Sequence, residues 1–101
     1  MQGALDLKVA GNLKFSQKEF ALSVIDYEQG IREITSSMSP VSSELRDLLT
    51  TLYSNNALAL VKLSESFTGS GDEGKRAEFL LRAEKACTSA LELNPAHAKS
   101  L

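Results

Sequence analysis

The chain of 101 residues contains one cysteine, one histidine, two prolines and no tryptophan. A single cysteine excludes an internal disulfide, and its position among helical apolar residues predicts that Cys87 is a small buried hydrophobic side chain. His97 has no cysteine nearby, so we expect no metal site. Because no base accompanies Cys87 and no Ser-His-Asp arrangement is evident, we expect a domain that is not an enzyme and needs no cofactor.

The chain also has little net charge and no long apolar run. Eleven Lys and Arg residues against thirteen Asp and Glu leave a formal charge of −2, whereas domains that bind nucleic acid usually carry a basic excess. No segment approaches the ~20 apolar residues of a membrane span, and the N-terminus lacks the basic and apolar regions of a signal peptide. We therefore expect a protein of the cytoplasm, or of the nucleus, that binds neither nucleic acid nor membrane.

Helical periodicity covers most of the chain. Apolar residues recur at three- and four-residue spacing in segments that Ser, Pro and Gly residues interrupt, which predicts four helices. Their expected ranges are about 4–15, 18–37, 41–66 and 74–93. The segment 67–74 is expected to be a loop, and its G-x-G-x-x-G pattern is no nucleotide site because no strand precedes it.

The first two helices are predicted to form an antiparallel hairpin. Leu5, Val9 and Leu13 recur every four residues, so we expect them on the buried face of the first helix. Lys8 and Asn12 then lie on a neighbouring face. Small residues in both helices predict a close approach of the two axes, at Ala10, Gly11, Ala21, Ser23 and Gly30. A glycine inside a helix costs about 1 kcal/mol relative to alanine, which a close contact would explain.

This hairpin resembles the first tetratricopeptide repeat of a co-chaperone, a helix-turn-helix unit of about 34 residues. The residues that carry the resemblance are Lys8-Val9-Ala10-Gly11-Asn12, Phe15, Phe20, Ser23, Tyr27, Gly30 and Ile31. The runs 53–63 and 83–95 resemble the two helices of a second repeat. The resemblance implies an all-α fold, in which antiparallel helix hairpins stack as an α-solenoid.

The resemblance also implies domain boundaries, with a single domain over residues 1–101. The first repeat spans about 4–37, and the second spans about 41–95 with an insertion near 65–78. Residues 96–101 would begin a truncated third repeat. Because such arrays need about three units or a capping helix, this pattern predicts either a longer protein or self-association through the uncapped fourth helix.

In the family that the chain resembles, Lys and Asn side chains form a carboxylate clamp for an acidic peptide tail. Four of its five positions match, at Lys8, Asn12, Asn55 and Lys99, and the fifth, an Arg four residues later, would fall beyond Leu101. A terminal aspartate offers two carboxylates that only accept hydrogen bonds, so ammonium and amide NH₂ groups suit it. Lys8 and Asn12 lie four residues apart and share a helical face.

The resemblance therefore implies a co-chaperone module that binds the Glu-Glu-Val-Asp-type C-terminal tail of a cytosolic heat-shock chaperone of about 70 or 90 kDa. An apolar pocket beside the clamp is expected to comprise Phe15, Leu58, Val61 and the stem of Lys62. Two alternatives stay open. One is a scaffold whose groove holds an unrelated protein segment by apolar contacts, and the other is a targeting domain of a larger enzyme, such as a prolyl isomerase or phosphatase.

Overall fold

The computed structural model describes residues 2–36, 43–67 and 69–93. Within these ranges the chain is helical and contains no strand. The helices are α1 (Gln2–Ser16), α2 (Phe20–Thr35), α3 (Ser43–Glu65) and α4 (Glu73–Leu93). The all-α class is therefore confirmed, and each predicted helix ends within two residues of its observed limit. The fifth helix predicted at 96–101 lies outside the described residues.

A tight turn at Lys18 joins α1 to α2. Lys18 has a φ of 64°, the left-handed conformation that often ends a helix. Its N–H donates to the carbonyl of Phe15 at 2.9 Å, and the N–H of Glu19 donates to the carbonyl of Lys14 at 2.8 Å. These bonds satisfy carbonyls that the end of α1 would otherwise leave unpaired, and the chain reverses direction at once.

Contacts between α1 and α2 show that the two helices run antiparallel. Near the end of α1, Lys14 forms an ion pair with Asp26 in the first half of α2 at 2.6 Å. Near the start of α1, Gly3 faces the Glu33 carboxylate at the far end of α2. Residue numbers thus fall along α2 as they rise along α1.

Small residues allow this close approach, largely as predicted. Gly11, Ser23 and Gly30 are buried, and Ala10 is half-buried. Ala21 is exposed, so its predicted place in the helix contact is wrong. Its position two residues before Ser23 turns it roughly 200° around the helix, away from α1.

The apolar stripe of α1 faces outwards. Leu5, Val9 and Leu13 are 43%, 58% and 59% exposed, so the prediction that they form the buried face is wrong. The buried positions of α1 are instead Ala4 and Gly11. The reason is that α2 packs closest where the side chains of α1 are smallest, and this contact directs the longer apolar side chains away from it.

The core connects α1 to the other three helices. Its buried members are Ala4, Val24, Tyr27, Ile34, Leu49, Leu52, Ala57, Ala59, Leu60, Ala83 and Ala86. Cys87 is half-buried and packs against this cluster, so the prediction of a fully buried side chain is only partly met. No helix among the described residues is both long and apolar enough to cross a membrane.

The connection between α3 and α4 is held by side chains of its own. The Arg76 guanidinium donates from Nε to the Phe67 carbonyl at 2.9 Å. The Phe67 ring stacks on Phe79, with 5.4 Å between the ring centroids. An ion pair between Arg82 and Glu28 links α4 to α2. These contacts fix α4 against the rest of the bundle and leave the opposite side of α3 to face α1.

Candidate functional site

A groove runs between α1 and α3. Leu5 and Lys8 line one hollow of ≈ 570 Å³ together with Leu45, Leu48 and Thr51 of α3. A second hollow of ≈ 250 Å³ lies further along both helices, between Asn12, Phe15, Tyr27, Asn55 and Leu58. Because residue numbers rise together along its two walls, α1 and α3 run in the same direction.

Two predicted clamp residues meet in this groove. The Asn55 side chain donates from Nδ2 to Oδ1 of Asn12 at 3.2 Å, although 43 positions separate them in the sequence. The hydroxyl of Tyr27 donates to the same Oδ1 atom. Both lone pairs of this oxygen are therefore occupied, so Asn12 is left with the two N–H groups of Nδ2 for a ligand.

Lys8 adds a cation to the same face of α1. It lies one helical turn before Asn12, is half-buried, and forms no ion pair with any described residue. Its ammonium group is thus available as a donor beside the two amides. Lys99, the fourth predicted clamp residue, lies outside the described residues. The three that are described share one groove.

Two acidic side chains lie at the Lys8 end of the groove. Glu44 and Asp47 are exposed and line the same hollow as Lys8. Their charges oppose the attraction of Lys8 for an anion, because the field in a groove sums over all the charges around it. A carboxylate would therefore be attracted by the Lys8 charge against partial opposition from these two side chains, and directed hydrogen bonds would orient it.

The predicted apolar pocket is present in part. Phe15 and Leu58 line the hollow beside the two asparagines, and Leu58 is 50% exposed. Val61 packs against the core instead, and Lys62 is exposed one turn beyond Leu58. The structure thus brings Phe15 and Leu58 to Asn12 and Asn55, while Val61 and Lys62 lie outside the hollow.

Sequence reasoning missed Tyr27 as a site residue and treated it as part of the helical apolar pattern. Tyr27 is only 1% exposed, and a buried tyrosine hydroxyl needs a hydrogen-bond partner. Burial raises the pKa of this hydroxyl above its ordinary value, the Asp26 charge raises it further, and the nearby Ser23 hydroxyl acts in the opposite direction. The hydroxyl therefore remains a donor at neutral pH.

This raised pKa predicts a loss of stability in alkali. The unfolded chain releases the Tyr27 proton near pH ~10, whereas the folded chain retains it to higher pH. The stabilisation is thus complete below that pH and is lost as the pH rises above it. A Tyr53→Phe variant leaves Tyr27 as the sole tyrosine, so phenolate absorbance reports it alone. We expect the pH midpoint of Tyr27 ionisation to be higher in buffer, where the chain is folded, than in concentrated urea, where it is unfolded. Equal midpoints would contradict the prediction.

Comparison with known proteins gives no information on function, so the functional proposal depends on the geometry of the groove. No protein-family model, curated protein or solved structure matches this chain. Among the described residues there is also no group of three or more His, Cys, Asp or Glu side chains arranged to hold a metal ion.

Proposed function

We propose that this chain is a tetratricopeptide domain of the carboxylate-clamp type, which binds the acidic C-terminal tail of a cytosolic heat-shock chaperone. The observation that carries the proposal is the contact between Asn12 and Asn55 beside Lys8 in one groove. These three positions match the family's clamp, and they come from two helices that are distant in the sequence. A chance match in sequence alone gives no reason for Asn12 and Asn55, which are 43 positions apart, to meet.

The chemistry of the groove suits a free chain terminus. A C-terminal aspartate carries its main-chain carboxylate and its side-chain carboxylate a few atoms apart, and both only accept hydrogen bonds. Lys8, Asn12 and Asn55 provide ammonium and amide donors. Hydrogen bonds to charged groups contribute about 1.5–3 kcal/mol each, part of which is offset by ordering a flexible peptide. The net result is an affinity in the micromolar range, about −8 kcal/mol.

The arrangement of the helices supports the same proposal. Helices α1 and α2 form an antiparallel pair, α3 follows α2 along the chain, and α3 runs alongside α1 in the same direction. In the α-solenoid of the family, the first helices of successive repeats line the inner surface in this way. The peptide would then lie extended across α1 and α3, with the apolar hollow at Phe15 and Leu58 accepting a neighbouring side chain such as valine or methionine.

A second candidate is a scaffold whose groove binds an apolar protein segment. The observation that favours it is the hollow at the other end of the groove, where Leu5, Leu45 and Leu48 supply apolar walls. Binding of this kind would depend on the hydrophobic effect and would change little with added salt. The two candidates therefore differ in salt dependence and in their need for a free carboxylate.

Calorimetric titration separates the candidates. The peptide ends in Glu-Glu-Val-Asp and is used with a free C-terminus, with a C-terminal amide, and with a scrambled sequence. We expect micromolar binding of the free acid that weakens with salt, and binding of the amide that is weaker by about tenfold or more. Equal, salt-insensitive binding of acid and amide would favour the apolar scaffold. No binding of the free acid would refute the clamp.

A further inference from the structure

Tyr27 connects the core to the floor of the groove. Its ring is buried against Gly11 of α1, while its hydroxyl lies in the hollow beside the two asparagines. The bond that it donates to Asn12 thus joins a fixed core residue to an exposed side chain. Most side chains on an exposed helical surface lack such a partner and exchange among rotamers within nanoseconds.

The orientation of the Asn12 amide decides what the groove recognises. The oxygen and the NH₂ group of an asparagine side chain have nearly the same shape, but one accepts hydrogen bonds and the other donates them. Two donors, the Tyr27 hydroxyl and Nδ2 of Asn55, converge on Oδ1 of Asn12. Rotation of the amide by half a turn would place the Asn12 NH₂ group against the NH₂ group of Asn55 and would force the Tyr27 hydroxyl to accept a hydrogen bond instead of donating one. The NH₂ group is therefore directed towards a ligand.

We propose that Tyr27 is a positioning residue that sets the hydrogen-bonding polarity of the groove. Its hydroxyl holds the Asn12 amide so that the site presents donors alone, and this selects a free C-terminal carboxylate over groups that carry N–H, such as a C-terminal amide. The proposal rests on the proposed function for the identity of the ligand. The orientation of Asn12 can be measured without any ligand.

The backbone around Tyr27 fixes the position of its hydroxyl. The Gly11 carbonyl accepts a bond from the Ser23 hydroxyl at 3.0 Å, which holds α1 and α2 at their short separation. The ring is confined between the two helices at 1% exposure. The hydroxyl oxygen can therefore not move away from Asn12 without moving a helix.

The test uses Tyr27→Phe, which removes the hydroxyl and keeps the ring. Tyr53→Phe is the matched control, because it removes the same group from the half-buried tyrosine of a separate cleft between α2 and α4. In the free protein, ¹⁵N relaxation of the side-chain amides should show an ordered Asn12 NH₂ group in wild type and in Tyr53→Phe. We expect it to be mobile in Tyr27→Phe.

Binding supplies the second readout. For the free-acid Glu-Glu-Val-Asp peptide we expect Tyr27→Phe to lose about threefold to tenfold in affinity, the usual effect of one hydrogen bond. For the C-terminal amide we expect a smaller loss, because a released Asn12 can turn its oxygen to the ligand. The preference for acid over amide should therefore fall. A purely structural role would weaken both peptides alike.

Different results would contradict the positioning role of Tyr27 and the proposed function of the chain. An Asn12 NH₂ group that is already mobile in wild type overturns the positioning role, even if Tyr27→Phe fails to fold. An unchanged Asn12 in a folded Tyr27→Phe variant overturns it as well. If Asn12 loses order in Tyr27→Phe but wild type binds no carboxylate peptide, the positioning role stands and the proposed function fails.

Discussion

Replacing Lys8 and Asn12 together with alanine is expected to abolish binding of the acidic tail peptide. The change removes the ammonium group and the NH₂ group that α1 presents to the groove, and it leaves Asn55 without its partner. Two hydrogen bonds to a carboxylate contribute about 3–6 kcal/mol. Loss of that much from about −8 kcal/mol moves a micromolar dissociation constant to about 0.2 mM or weaker. Calorimetry with the free-acid peptide measures the loss.

A double variant elsewhere on the surface provides the control. Lys75→Ala with Gln29→Ala removes one ammonium and one amide group from exposed positions on α4 and α2, neither of which lines the groove. We expect its affinity for the peptide to match that of wild type. Alanine favours helix at all four positions, so circular dichroism should show both variants folded. If the double variant Lys8→Ala with Asn12→Ala binds the free-acid peptide within about twofold of wild type, the clamp is refuted.

The positions of the helices could be predicted from sequence because local signals determine them. Three- and four-residue spacing of apolar residues marks each helix, and the Gly- and Ser-containing segment between α3 and α4 supplies a clear interruption. The inward face of α1 could not be predicted in the same way. Leu5, Val9 and Leu13 give a regular apolar stripe, yet the contact with α2 is decided by the small residues Ala4 and Gly11. Periodicity measures hydrophobicity and is insensitive to the shape of the partner helix.

The candidate site shows the same division between local and tertiary information. Lys8 and Asn12 share a helical face by spacing alone. Their proximity to Asn55 depends on how α3 is placed beside α1, and in the sequence only the family resemblance indicated it. The hydroxyl of Tyr27 reaches Asn12 because of the depth at which its ring is buried, a quantity without any local signal. For the same reason, the sequence predicts Val61 in the pocket, whereas this side chain packs against the core.

Gly11→Ala is expected to lower the free energy of unfolding by up to about 2 kcal/mol, because an overpacking cost of about 1–3 kcal/mol is partly offset by the helix propensity of alanine. An ideal Cβ atom at Gly11 lies 2.5 Å from Cε1 and 2.7 Å from Cδ1 of Tyr27, whereas carbon atoms in favourable contact lie about 3.5–4.0 Å apart. The ring is buried between α1 and α2, so the added methyl group would have to displace the ring or separate the helices. With separations this short we expect the overpacking cost to lie in the upper part of its range, above the ~1 kcal/mol by which alanine favours a helix interior over glycine. Urea-induced unfolding measures the change.

Gly74→Ala is the matched control, because it makes the same substitution within a helix where no neighbouring atom lies within 4 Å of the added Cβ. Helix propensity then acts alone, and we expect stability to rise by up to about 1 kcal/mol. The opposite signs of the two changes would separate the steric contact with Tyr27 from the general effect of removing a glycine. A Gly11→Ala variant at least as stable as Gly74→Ala would show that the two helices are not held at the separation described here. Tyr27 would then have no fixed position from which to orient Asn12.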